Sequence, residues 1–316
     1  MVNDLPSLVF LGTPEFALPS LEALLGAGAP ILLVVTQPDR PKGRGRKLLA
    51  PPVKLLAQER GLSVYQPERI RSPEALERIA GLEPACIVTV AYGQLLPAGI
   101  LEIPTKGAVN VHASLLPKYR GPAPIHWALI QGESETGVTT ILMDTGMDTG
   151  DILLQREVVI QPEETGGSLH DRLAEVGAGL LVETLELMAR GTLEPKVQDH
   201  SLASYAPMLA KEDGQVDWHD TSHRICCKIR GLDPRPGAFT RWQGKRLKLF
   251  GCRALPHLSS QAKPGTVIAV EGDGLQVHTG EGSVLVKALQ LEGGRPLPVT
   301  DFLRGHPLQV EAKLGE

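Results

Sequence analysis

Short, β-branched apolar runs alternate with segments of helical periodicity over roughly the first 200 of the 316 residues, and few folds accept that alternation. The runs Leu8–Leu11, Ile31–Thr36, Cys86–Val90 and Ala108–His112 carry almost no polar side chain. A strand reads that way when both of its faces are covered, as in a parallel sheet. Between them, Phe16–Leu25, Val53–Glu59 and Glu74–Ile79 space their apolar residues as helices do. Val138–Met143 and Ile152–Ile160 extend the strands, and Ser168–Arg190 reads as a long amphipathic helix. The expected fold is therefore α/β, a doubly wound and mostly parallel sheet, over residues 1–204. From about Tyr205 the pattern changes to five short alternating segments: Gly237–Trp242, Arg246–Phe250, Thr266–Val270, Leu275–Thr279 and Val284–Leu289. Glycine-bearing turns separate them, which predicts a smaller β-barrel over residues 205–316, of the partly open five-stranded, OB-like kind. His219–Arg230 reads as a helix leading into it.

Composition excludes several classes. A hydrophobic content of 42% and a charged content of 22% are those of an ordinary globular chain. No run approaches the ~18 apolar residues of a membrane span, and the acid in the first residues is unlike a signal peptide. A cytoplasmic protein with no membrane partner is the expectation. Cys86, Cys226, Cys227 and Cys252 lack metal-ligand spacing, and two are adjacent, so reduced, mostly buried thiols are expected. His219 and His223 stand four apart, yet no HExxH pattern accompanies them. Asp144, Asp148 and Asp151 lack the regular spacing of a calcium loop, and no metal is expected.

Three local features carry chemistry. The turn Leu11-Gly-Thr-Pro-Glu-Phe16 joins a strand end to a helix start, where free amides can hold an anion. A purely structural turn would look the same. The segment Asp39–Lys47 places Arg40, Lys42, Arg44, Arg46 and Lys47 within nine residues, interrupted by glycine and proline. It can be neither a regular helix nor a central strand, so a mobile cationic loop is expected. On a chain of net charge −4, such a local concentration points to a phosphate-rich partner. Arg44, between two glycines, is best placed to reach it. Third, Asn110 and His112 stand two apart at the end of a strand and share a face, with Asp148 following 36 residues later. An amide donor, an imidazole and a carboxylate around one point suit acyl transfer. In that chemistry Asn110, and His112 when protonated, would stabilise an oxyanion. Asp148 would hold the imidazole or a water.

Several long segments add a resemblance: FLGTPEFALPSLEALL, QPDRPKGRGRKL, VAYGQLLP, the run from Asn110 to Leu153, YAPMLAKEDGQVDW and IRGLDPRPGAFT. With these the chain resembles the folate-dependent formyltransferases, and among them the enzymes that act on methionyl-tRNA. The resemblance implies a formyl donor, 10-formyltetrahydrofolate, bound by the N-terminal domain. It implies an acceptor, initiator methionyl-tRNA, held in part by the C-terminal domain, with no DNA partner. By resemblance the catalytic trio falls on Asn110, His112 and Asp148. The donor's signature falls on Ser114, Leu115, Leu116 and Pro117. The wall around its pterin falls on Ala91, Tyr92, Gly93, Gln94, Leu95 and Leu96. The basic loop corresponds to the segment that engages the acceptor arm. A second concentration of charge (Lys228, Arg230, Arg235, Arg241, Lys245, Arg246, Lys248 and Arg253) would continue a track along the tRNA backbone. A monomer is expected, since two linked domains can supply both sites. Formyl transfer to a sugar nucleotide or other small amine, hydrolysis of the donor, and a non-catalytic tRNA-binding role remain as alternatives. The small acceptors of the first give no reason for the cationic loop and the basic barrel.

Overall fold

A computed structural model describes residues 5–42, 47–255, 262–271 and 274–315, without side-chain detail at 42, 47 and 271. In chain order the strands are β1 (Leu8–Gly12), β2 (Ile31–Val35), β3 (Arg40–Lys42), β4 (Lys47–Leu49), β5 (Val64–Tyr65), β6 (Cys86–Val90), β7 (Ala108–His112), β8 (Glu135–Leu142), β9 (Asp151–Val159), β10 (Phe239–Trp242), β11 (Lys245–Leu255), β12 (Val267–Glu271), β13 (Gly274–His278), β14 (Ser283–Leu291) and β15 (Leu297–Pro298). The helices are α1 (Leu18–Gly26), α2 (Pro52–Glu59), α3 (Pro73–Ala80), α4 (Ala98–Leu101), α5 (Pro124–Ile130), α6 (Gly166–Arg190), α7 (Ser222–Leu232) and α8 (Val299–Gly305). Two compact units emerge. The first comprises residues 1–122, 135–159 and 170–206; the second comprises 123–134, 160–169 and 207–316. The chain thus lends two short early segments, one of them carrying α5, to the later unit.

The first unit is built on a seven-stranded sheet of order β5-β2-β1-β6-β7-β8-β9. β5, β2, β1, β6 and β7 run parallel, while β8 and β9 are antiparallel to their neighbours. Every residue of β1 and β6 is buried, which is why these strands carry no alternation in sequence. One face packs Val9, Leu11, Ile87 and Ala108 against Ile79 of α3 and Ile100 of α4. The other face meets α6, whose Gly177 lies so close to Val111 that a Cβ there would stand 3.0 Å from a valine methyl. Local signals explain the helix starts. Pro73 occupies the first turn of α3, and the Ser72 hydroxyl accepts from the Ala75 amide at 3.3 Å. The strand order reverses between β1 and β6, and in sheets of this kind the crevice that takes a ligand lies there, outside the carboxyl ends of the parallel strands.

The second unit carries an antiparallel sheet of order β10-β11-β14-β13-β12, with β15 against β14. Its core joins Leu249, Val277, Val286 and Leu289 of the sheet to Ile225 and Ile229 of α7 and Phe302 of α8. All five expected strands are present. The order is that of an open path, and no pairing of β10 with β12 closes a barrel among the described residues. The helix expected from His219 begins only at Ser222. The Asp217 carboxylate accepts from the His219 amide, and the Thr221 side chain caps the helix by accepting from the Arg224 amide. A further correction concerns the cysteines. Cys226 and Cys252 form a disulfide between α7 and β11, their Cα atoms 5.4 Å apart. Adjacency to Cys227 is no obstacle, because successive helical residues point about 100° apart and only one can face the strand. Cys86 and Cys227 are free and buried, and burial pushes the Cys86 thiol up to about 12.

The cationic segment also departs from the expected loop, because its flanks pair as a two-stranded antiparallel ribbon, β3 with β4, separate from the main sheet. Arg44 and Arg46 lie outside the described residues. Among the described residues no helix is long and apolar enough to cross a membrane, and no group of three His, Cys, Asp or Glu side chains is arranged for a metal. At the ribbon's base the Lys54 ammonium donates to both Asp39 carboxylate oxygens at 2.8 Å, and the Gln66 amide donates at 2.8 Å. These bonds, Lys54 foremost, hold the Asp39 carboxyl below the usual carboxylate range. The resulting stabilisation is complete above the ordinary aspartate value of ~3.9 and is lost as pH falls through the lowered value. Asp39→Asn should therefore be less stable than the parent at pH 7 in urea unfolding. That difference should vanish once the pH drops well below ~3.9.

Candidate active site

β7 ends at the crevice, and strand alternation directs Asn110 and His112 to the same face. Asn110 is half-buried, and its carboxamide bonds to no described residue. His112 is 6% exposed. Its Nε2 lies 2.9 Å from the Tyr119 carbonyl oxygen, which can only accept, so Nε2 carries the proton. Nδ1 then faces the Asp148 carboxylate, with Oδ2 at 3.6 Å. That separation is longer than a hydrogen bond and fits an ion pair when the ring is doubly protonated. The three residues expected to meet are thus brought to one end of the sheet, with the imidazole and carboxylate in direct opposition.

Asp148 sits in a left-handed conformation, φ 56°, in the turn between β8 and β9. The Gly121 amide donates to its Oδ2 at 2.8 Å. Gln198 holds the same turn from below. Its Nε2 donates to the carbonyls of Asp148 (2.9 Å) and Gly150 (2.7 Å), while its Oε1 accepts from Arg120 Nη2 at 2.6 Å. Arg120 is 3% exposed and also meets His200 Nδ1 at 3.0 Å. Gln198 and His200 carry no sequence signal, since they lie 50 and 80 residues from Asp148 and Arg120, the residues they bond. Asp144 and Asp151 play other parts: the Asp144 carboxylate accepts from the Gly146 amide and the Thr149 hydroxyl, and Asp151 opens β9.

The remaining expected residues divide by burial. The Ser114 hydroxyl is fully buried and donates to the Lys118 carbonyl at 2.7 Å. The Thr139 hydroxyl donates to the Ser114 carbonyl and accepts from the Leu116 amide, and Gln155 donates to the Leu116 carbonyl. Leu116 is buried and Leu115 and Pro117 partly so, and the peptide between Leu116 and Pro117 is cis. The polar atoms of this segment are thus largely spent in shaping the loop. After β6, Ala91, Gly93 and Leu95 are exposed, whereas Tyr92 and Leu96 belong to the core. Gln94 ties the segment to its neighbours by accepting from the Ile70 amide at 2.9 Å. The Tyr92 carbonyl accepts from the Thr13 hydroxyl at 2.9 Å, joining the carboxyl ends of β1 and β6. Arg40 is exposed at the ribbon.

Comparison with known proteins decides the family. Residues 7–185 match the formyl transferase family model, and residues 208–307 match the formyl transferase C-terminal domain. Methionyl-tRNA formyltransferase of Citrifermentans bemidjiense is 50% identical over 309 residues, covering 98% of this chain and 96% of that one. The enzyme of the same name from Desulforamulus reducens is 50% identical over 308 residues, covering 98% and 97%. The chain belongs to the methionyl-tRNA formyltransferase family. Among solved structures, the fold is shared by an N-formyltransferase from Helicobacter canadensis in complex with folinic acid and dTDP-3-aminofucose, with a TM-score of 0.68 and 19% identity over 89% of this chain and 98% of that one. It is also shared by HypX from Aquifex aeolicus in complex with tetrahydrofolic acid, with a TM-score of 0.63 and 20% identity over 95% of this chain and 47% of that one.

Within this family member, the Gln198 bridge places the Asp148 carboxylate. Gln198→Leu leaves two turn carbonyls and a buried guanidinium without their partner, at a cost of about 1–3 kcal/mol for each orphaned group. We expect the variant to have a lower unfolding midpoint and to lose more than tenfold in kcat. Wild-type kcat in a folded Gln198→Leu protein would show that the bridge does not place the carboxylate.

Proposed function

We propose that this chain transfers the formyl group of 10-formyltetrahydrofolate to the α-amino nitrogen of methionyl-initiator tRNA through Asn110, His112 and Asp148. The observation carrying this reading is the opposition of His112 and Asp148 beside an unbonded Asn110 carboxamide, in a chain of this family. The donor supplies a formyl carbon attached to nitrogen. Asn110 donates to the formyl oxygen as negative charge builds there, and its amide has no other partner to leave. The His112 Nε2 proton is committed to the Tyr119 carbonyl, so the oxyanion falls first to Asn110. As the amine bonds to the formyl carbon, its proton passes to the pair formed by neutral His112 Nδ1 and the Asp148 carboxylate, and the pair returns a proton to the folate nitrogen as the bond from that nitrogen to the formyl carbon breaks. An α-amino group titrates near ~8, so a sizeable neutral fraction is present at pH 7 and modest base assistance suffices.

The exposed ledge of Ala91, Gly93 and Leu95 fits a flat heteroaromatic ring. An apolar side chain there covers a face, and the open backbone offers hydrogen bonds to the edge. Ser114–Pro117 borders the same crevice and shapes it, and Tyr92, Gln94 and Leu96 fix the ledge from behind. We assign this chemistry to residues 1–204 and tRNA contact to residues 205–316, whose antiparallel sheet we read as OB-like. The eight basic side chains of that region make no ion pair among the described residues. Lys228, Arg230, Arg241 and Lys248 donate to carbonyls, and Arg246 stacks on Phe239, so their charge is not neutralised. In the sequence, Arg40, Lys42, Arg44, Arg46 and Lys47 add a second concentration of positive charge suited to a polyanion.

Two measurements test this. Asn110→Ala should lower formylation of methionyl-tRNA by about a hundred- to a thousandfold while donor binding is retained. Undiminished turnover would remove Asn110 from the mechanism, and formyl appearing on a sugar nucleotide or in water instead of tRNA would replace the acceptor. Second, tRNA affinity should fall steeply with added salt, and Arg44→Ala should weaken it and flatten the slope by about one unit. A salt-independent affinity would argue against the basic track.

A further inference from the structure

We infer that Thr89 is a positioning residue that sets which way round the Asn110 carboxamide stands. The inference deepens the proposed formyl transfer and rests on it. β6 reads Cys86-Ile-Val-Thr-Val90, buried throughout, and Thr89 is its one hydroxyl-bearing residue. In the parallel register Leu11 of β1, Thr89 of β6 and Asn110 of β7 stand side by side. Residues so paired project from the same face, and neighbouring strands are about 4.8 Å apart. Side-chain rotation alone therefore brings a threonine hydroxyl within one hydrogen bond of an asparagine amide on the next strand.

The fold offers no other reason for this hydroxyl. Thr89 is 6% exposed, and its Oγ1 is buried without a partner. The same face is otherwise lined by Val9, Leu11, Ile87 and Ala108 under Ile79 and Ile100. Valine would fill the space as well and bury no orphaned oxygen, so a hydroxyl retained there calls for a use. Asn110 supplies one. A carboxamide turned the wrong way presents its oxygen to the developing oxyanion and repels it. When Thr89 Oγ1 accepts the inward N–H of Asn110, the outward N–H is left for the formyl oxygen, and the amide oxygen is turned aside. Thr89 touches no reacting atom; it acts through Asn110.

The test is a double-mutant cycle in formylation of methionyl-tRNA, with kcat and KM measured separately and the unfolding midpoint recorded. Thr89→Val should lower kcat about tenfold, the rate equivalent of one neutral hydrogen bond, with KM for donor and tRNA unchanged. Thr89→Ser should restore the rate. In the Asn110→Ala background Thr89→Val should cost nothing further, because the amide it orients is gone. Should the valine protein fail to fold, Thr89→Ala read in the same cycle reports the same coupling. Wild-type kcat in a folded Thr89→Val protein, or an equal loss in both backgrounds, overturns the assignment. A parent protein that moves formyl to no amine sinks the proposed function itself, an outcome separable from the failure of Thr89.

Discussion

Two hydrogen bonds from the loop after β7 hold the site together: the Tyr119 carbonyl takes the proton of His112 Nε2, and the Gly121 amide donates to Asp148 Oδ2. The loop is thereby latched to both members of the facing pair. Its own shape depends on left-handed backbone at Tyr119 (φ 60°) and at Gly121 (φ 114°). At Gly121 any Cβ would also stand 2.8 Å from the Ala206 carbonyl oxygen. One loop therefore fixes the ring, aims the carboxylate and lies against the backbone at Ala206. The 3.6 Å left between imidazole and carboxylate follows from those anchors rather than from attraction between the pair alone.

The sheet was largely legible because burial on both faces writes itself as uninterrupted apolar runs. Cys86–Val90 and Ala108–His112 match the observed strands residue for residue. Boundaries moved where capping rather than hydrophobicity decides them, as at α7, which the Thr221 side chain caps so that it starts at Ser222, three residues beyond His219. The trio was legible for a different reason. Two of its members lie on one strand, where alternation alone places them together, and the chemistry of an amide, an imidazole and a carboxylate brought in the third before resemblance added its weight.

What stayed hidden depends on contacts between distant segments. Gln198 and His200 stand in an irregular stretch with no periodicity, so nothing local marks them as supports for Asp148 and Arg120. The pairing of Cys226 with Cys252 requires knowing that α7 lies across β11, a relation no spacing rule contains. Likewise the pairing of β3 with β4 is compatible with proline and glycine because a two-stranded ribbon leaves half of its backbone groups free of the ladder. That arrangement escapes a rule framed for central strands.

The polar residues of the sheet then sort by what their bonds accomplish. Thr139 donates to Ser114 and accepts from Leu116, and Thr140 pairs with Thr184 of α6; each is buried and each has a structural use. Cost of burial is thus offset by ordered backbone, as the physics of an unmade hydrogen bond demands. Thr136 of β8 and Thr89 of β6 depart from that pattern, and of the two it is Thr89 that stands beside Asn110 on the neighbouring strand. Folding selects for satisfied groups, whereas a reaction tolerates an unsatisfied one when its partner must be available at the moment of charge development. The Asn110 carboxamide, half-buried and bonded to no described residue, stands beside the Thr89 hydroxyl on the neighbouring strand and the same face, where each can meet what the other leaves open.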